Sequence, residues 1–177
     1  MAIITGGTII EGTYDGLFSA GAPTAGTTEV QTLTIGGTPT GGSFILAYDG
    51  YNTAAIPWSA TNATLIASID AALEALPNIG TGGITTAAGT VTAGIGTITL
   101  TWAGNQVLKA VNTITVASNS MTGTSPTVAV AETTPGVSAF GRGAPTGAKA
   151  TDTTNGLAYI NTGTALSPTW TKIGVQT

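Results

Sequence analysis

Thr97-Ile98-Thr99-Leu100-Thr101-Trp102 alternates three apolar residues with three threonines. A period of two places Ile98, Leu100 and Trp102 on one face and the hydroxyls on the other, as in a strand with one buried and one wet side. The same alternation recurs on both sides of this stretch. Gln31 to Ile35 turns Leu33 and Ile35 inward and Thr32 and Thr34 outward. Asn112 to Val116 offers Ile114 and Val116, and Thr127 to Ala131 offers Val128 and Val130. Ser43 to Tyr48 is apolar on both faces, which predicts a central strand. Asp49-Gly50 then turns the chain into a further strand around Thr53 to Trp58.

One helix interrupts the series. From Ala63 to Leu76, residues Leu65, Ile66, Ile69, Ala72, Leu73 and Leu76 fall on one face. Thr61 or Asn62 is placed to cap its start, and Pro77 with Gly80 ends it. Its apolar face must cover sheet, since the chain offers no second helix to pack on. Capping also explains Asn62-Ala63-Thr64 better than its match to a glycosylation acceptor does.

Composition narrows the function. Of 177 residues, charged side chains make up 7%, against about 25% in an ordinary domain. Thr and Gly take their place. There is no Cys and no His, so Ser-His-Asp and Cys-His nucleophiles and the usual zinc sites are excluded. The acid pairs Glu11 with Asp15 and Asp70 with Glu74 remain. The second pair lies one helical turn apart on one face, where a solvated role is expected. No enzyme, catalytic site, metal site or cofactor is therefore expected. Four Lys and Arg residues cannot line a track of phosphates, so no nucleic-acid partner is expected either. Gly36-Gly37, Gly41-Gly42 and Gly82-Gly83 lack the Lys-Ser/Thr ending of a phosphate loop and read as turns. No apolar run reaches the ~18 residues of a spanning helix. The start carries no basic and apolar signal pattern, and the lack of Cys fits a reducing compartment. No membrane association is expected.

Three zones organise the chain. Gly21-Ala22-Pro23-Thr24 recurs as Gly143-Ala144-Pro145-Thr146, each with a Phe three residues earlier, Phe18 and Phe140. This pairing suggests that residues 1–27 and 137–177 form one terminal module and that residues 28–136 are an inserted domain. Pro135-Gly136 marks the exit from the insert. Near the C-terminus, Asn155-Gly156 signals a two-residue type I′ hairpin between Thr151–Thr154 and Leu157–Asn161. The predicted fold is mainly β: a β-sandwich-like insert with one covering helix at about 63–76, plus a small β-hairpin module from the two termini.

Two patterns carry a resemblance. The ending Asp152-Thr153-Thr154-Asn155-Gly156, Tyr159-Ile160-Asn161-Thr162-Gly163-Thr164 and Ser167-Pro168-Thr169-Trp170-Thr171 resembles a terminal module of tailed-phage virion structural proteins. The order from Glu29 through Tyr48-Asp49-Gly50, Ile56-Pro57-Trp58, Ile84-Thr85-Thr86 and Thr97–Trp102 to Pro135-Gly136 is similar to a β-rich module of such proteins. The resemblance implies a structural virion protein made in the host cytoplasm, foremost a capsid decoration protein. Its partners would be the major capsid protein or copies of itself. The alternative is a tail, neck or fibre component whose β domain binds carbohydrate or a host surface, with Tyr48, Tyr51 and Trp58 as stacking candidates. Phe18, Phe140, Tyr159 and Trp170 are the candidate partner-interface residues of the terminal module.

Overall fold

The computed structural model describes residues 17–19 and 21–174. They form β1 (Leu17–Ser19), β2 (Val30–Tyr48), β3 (Tyr51–Asn52), β4 (Ile56–Pro57), α1 (Asn62–Glu74), β5 (Ile84–Ala88), β6 (Gly96–Trp102), β7 (Thr115–Thr134), β8 (Lys149–Asp152), β9 (Leu157–Asn161) and β10 (Trp170–Lys172). The protein is mainly β with one α-helix among the described residues. Two compact units divide it. One comprises Thr28–Gln106 and Ala110–Pro135, and will be called the insert. The other, the terminal unit, takes the described residues up to Thr27, Val107–Lys109, and the chain from Gly136 onward.

The insert is built on one long antiparallel ribbon, β2 with β7. The sequence pattern suggests four separate strands here, yet β2 runs 19 residues and β7 runs 20. Gly36-Gly37 and Gly41-Gly42 are not loops between strands. They lie inside β2, where the register with β7 shifts at Gly36/Thr38 and Pro39/Gly41. Such bulges let a strand bend and twist without leaving the sheet. Asn119 Nδ2 donates to Pro126 O at 3.0 Å. Seven extended residues would span about 23 Å, so β7 is folded over between these two residues. The arm Val30–Ile35 pairs with β6 on its other side, and Ser43–Tyr48 meets β4 and β3.

Because the ribbon folds, both arms feed one core. Leu33, Ile35, Phe44, Leu46, Ile98, Leu100 and Trp102 are all buried in it. The ring of Tyr48 packs 4.7 Å from that of Trp102. Burial, with Asp49 and Glu29 nearby, pushes the Tyr48 phenol up to about 12. β5, for which the sequence predicts no strand, adds to β6 as an edge. Only Ile84 of its five residues is buried, so no apolar alternation announces it. The stretch Thr53–Trp58, expected as one strand, is split. Thr53 turns inward, its amide bonding Leu46 O and its Oγ1 accepting from Leu46 N, and Pro57 has no N–H to extend a ladder.

Asp49 and Gly50 have φ of 45° and 85° and join directly paired Tyr48 and Tyr51. Both central residues in the left-handed region define the type I′ hairpin turn.

Helix α1 lies against β5 and β4 with Leu65, Ile69, Leu73 and, just beyond it, Leu76 in the core. Ile66 and Ala72 pack beside them. The expected cap is absent: Thr61 holds the N-cap position with no side-chain bond. Asn62 instead donates to Val91 O and accepts from Gly94 N, both at 2.9 Å, and so ties the helix start to the following loop. The acids expected on a solvated face are also engaged. Asp70 accepts from Thr86 N at 3.1 Å and Glu74 from Gly82 N at 2.7 Å, pinning β5 and its approach to the helix. Ile69→Ala or Leu73→Ala should each destabilise the insert by about 2–5 kcal/mol, the cost of a large-to-small change in a filled core. Chemical denaturation reads this directly, and unchanged midpoints for both variants would contradict the packing.

A buried polar pair organises the connection into β7. Glu29 and Gln31 have almost no exposed surface. Gln31 accepts from Ile114 N at 2.9 Å and donates to Asn112 O at 3.0 Å, while Glu29 accepts from Val111 N at 3.0 Å. Buried polar groups persist where such partners are complete. Here they replace a strand ladder for residues 111–114, which explains why β7 begins at Thr115 and not at Asn112.

Candidate attachment surface

The terminal unit is a four-stranded sheet in the order β1-β8-β9-β10. β1 runs parallel to β8, with Leu17 opposite Ala150, and the other pairs are antiparallel. Segments that lie before and after the insert in the sequence are thus knitted side by side. Thr27 and Val137 exchange both backbone hydrogen bonds at 2.9 Å, and Phe140 N bonds Thr24 O at 3.1 Å. The repeated tetrapeptides do not occupy equivalent places: Ala22 is exposed and Ala144 buried.

The Asn155-Gly156 turn differs from the two-residue hairpin predicted for it. β8 stops at Asp152, which pairs with Leu157, so the loop has Thr153, Thr154, Asn155 and Gly156. Gly156 has φ 67°, and Asn155 is not in the left-handed region. The reason is Asp152. Its Oδ1 accepts from Thr154 N at 2.9 Å and Asn155 N at 3.1 Å, and its Oδ2 accepts from Asn155 Nδ2 at 2.7 Å. An Asp that captures amides two and three residues on winds the chain into a wider turn. The Asn155 side chain above all, then the amides of Asn155, Thr154 and Gly21, hold the Asp152 carboxyl below its ordinary range, against the opposing effect of desolvation. Asp152 has no exposed surface, but its cover is this thin shell of turn groups and not a deep core.

Among the described residues, the buried apolar cluster of the unit is small: Leu17, Ala144, Ala148 and Ala150. Three of the four candidate interface residues gather on it. Phe140, Tyr159 and Trp170 are half-buried against that cluster. The Phe140 and Trp170 rings meet edge-on at 5.7 Å, and Trp170 Nε1 donates to Phe140 O at 2.9 Å. A Cβ on Gly141 would stand 2.7 Å from Trp170 Cζ2, so glycine is what lets the indole settle there. Phe18 sits in β1 opposite Thr151, and its side chain lies outside the described residues. These aromatics therefore act first as the unit's own packing.

Among the described residues, the large apolar side chains that the unit exposes are Val137 and Ile173, 50% and 37% accessible. Sequence reasoning misses both, because an isolated Val or Ile carries no sign of its exposure. It also misses Asn161, which is buried and fully used. Its Nδ2 donates to Ala144 O and Pro145 O, and its Oδ1 accepts from Gly163 N and Thr169 N.

Charge divides along the same boundary. Lys109, Arg142, Lys149 and Lys172, every cation of the chain, belong to the terminal unit. The insert carries Glu29, Asp49, Asp70, Glu74 and Glu132 and no cation. Among the described residues no three acids gather as a metal site, and Glu11 and Asp15 lie outside those residues.

No protein family and no curated protein matches this chain. The aromatic stacking platform considered for carbohydrate is not assembled. Tyr48 is buried, and Trp58 is half-buried with its Nε1 bonded to Gly94 O, leaving Tyr51 as the exposed ring of the three. No described helix is long and apolar enough to cross a membrane.

Proposed function

We propose that this chain is a structural component of a tailed-phage virion, a decoration protein that binds the head shell through its terminal unit. The observation that supports this most is the makeup of that unit. Segments from before and after the insert pair within it, and among the described residues its buried apolar cluster is one leucine and three alanines. A module with so little core is near the limit of independent stability and gains most by burying surface against other chains. Val137 and Ile173 are the exposed apolar groups it offers. Partners are the major capsid protein or further copies of this chain.

The test is occupancy on purified heads. Burying one Val or Ile is worth about 1.5–3 kcal/mol, so Val137→Asp with Ile173→Asp should lower affinity by roughly a hundredfold or more. Both positions are exposed, so the fold should survive, which circular dichroism checks. Attachment through apolar contact should also resist moderate salt, since screening weakens charge pairs. Release by salt with no effect of the two substitutions would move the contact to Lys149 and Lys172 and overturn this surface. Absence of the protein from heads, with presence in tails, would overturn the decoration role itself.

A further inference from the structure

We propose that Asn155-Gly156 is a latent deamidation site that the Asp152 carboxylate keeps closed. The reaction needs Gly156 N, after loss of its proton, to attack Asn155 Cγ. The new N–Cγ bond forms as the Cγ–Nδ2 bond breaks and ammonia leaves. Water then opens the succinimide to aspartate or isoaspartate, so the net change is water in and ammonia out. Nothing steric opposes it. Residues 153–156 are exposed to solvent, and an added Cβ at Gly156 would find nothing within 4 Å.

The hydrogen bonds do oppose it, at both reacting groups. Gly156 N donates to Asp152 O at 2.8 Å, which holds its proton and directs the nitrogen at residue 152. Asn155 Nδ2 donates to Asp152 Oδ2 at 2.7 Å. That bond swings the side-chain amide back across the loop. An amide donating to a carboxylate is also more polarised toward its resonance form, so Cγ is the poorer electrophile. The same carboxylate holds the Asn155 and Thr154 amides, and so fixes the backbone on which attack would depend. Its low pKa keeps it ionised through the neutral and alkaline range where the reaction runs. Should conversion occur, a new carboxylate would face Asp152 across the loop, and isoaspartate would add a methylene to the backbone. Either change removes the Asn155 Nδ2 bond to Asp152 Oδ2.

The experiment incubates the full-length protein at mildly alkaline pH, folded in buffer and unfolded in guanidinium chloride. Conversion at residue 155 is followed by peptide mass and by enzymatic isoaspartate labelling. The folded protein should convert at least about tenfold more slowly, the rate factor equivalent to ~1.4 kcal/mol of barrier. Asp152→Ala, still folded by circular dichroism, should lose that protection. Asp152→Asn, which keeps an acceptor for the two backbone amides but not the charge, should fall between. If Asp152→Ala does not fold, the wild-type comparison and Asp152→Asn decide. Equal rates in the folded and unfolded wild type, or full protection in a folded Asp152→Ala, would overturn the proposal.

Discussion

Gly37→Ala should unfold the insert. Gly37 has φ 74°, and a non-glycine residue held in that region costs about 1–3 kcal/mol. Steric overlap costs more. A Cβ there would sit 2.1 Å from Ser125 O and 2.9 Å from Pro126 Cα. Both atoms are backbone, so no rotamer change relieves the clash, and the β2–β7 ladder must part where the ribbon bends. The combined loss should exceed about 4 kcal/mol, at the far end of single-substitution effects and a large share of the roughly 5–15 kcal/mol that holds a typical domain. Gly50→Ala is the matched control. Its φ is 85°, but a Cβ there meets nothing within 4 Å, so only the backbone strain of about 1–2 kcal/mol applies. Denaturant midpoints of the two variants separate the contributions. Equal and small losses would mean that the strands do not approach this closely at the bend.

The second large effect is expected in the terminal unit. Asn161→Ala removes one side chain that serves four backbone groups at 2.8–3.2 Å. Asn161 is buried, and each buried group left unpaired costs about 1–3 kcal/mol. Even if water recovers half of them, the loss should reach about 4 kcal/mol, a large loss for a unit whose described buried apolar cluster is one leucine and three alanines. Asn161→Asp keeps the two acceptor bonds to Gly163 N and Thr169 N but turns a buried oxygen on Ala144 O and Pro145 O, so it should also destabilise the unit while leaving the loop amides bonded. Hydrogen exchange tests the assignment at residue level. The Gly163 and Thr169 amides should lose protection in the alanine variant and keep more of it in the aspartate variant. Unaltered protection in both would show that the loop 162–169 is held by something else.

The residues that announce themselves share a simple property: their neighbours in sequence reveal their environment. The alternation at Thr97–Trp102 and the apolar stripe of α1 are repeated local signals, and β6 and the helix appear where they are expected. Asp49-Gly50 forms the tight turn its residues favour, with both in the left-handed region between directly paired Tyr48 and Tyr51. Asn155-Gly156 carries an equally strong turn signal and forms a wider loop, because Asp152 accepts the loop amides first. The difference lies in one carboxylate three residues away and in how it is oriented. Of the candidate interface, the aromatics Phe140, Tyr159 and Trp170 pack on one small apolar cluster, a role that the sequence does not reveal. A half-buried ring and an exposed one are written alike.

By itself, the sequence determined the mainly β class, the helix α1 and the buried faces of β6 and of the Val30–Ile35 arm of β2, since these follow from periodicities of two and 3.6 residues. Its lack of His and Cys set limits on chemistry whatever the fold. The tertiary structure decided the rest. Only there do Gly36-Gly37 and Gly41-Gly42 become a bend inside one strand instead of turns between two. Only there do Gln31 and Glu29 meet residues 111–114, and Asn161 the loop after it. Those contacts join positions that no short window of sequence relates. Their energies depend on which backbone groups are left unpaired once the strands have met, a quantity that no local pattern of residues contains.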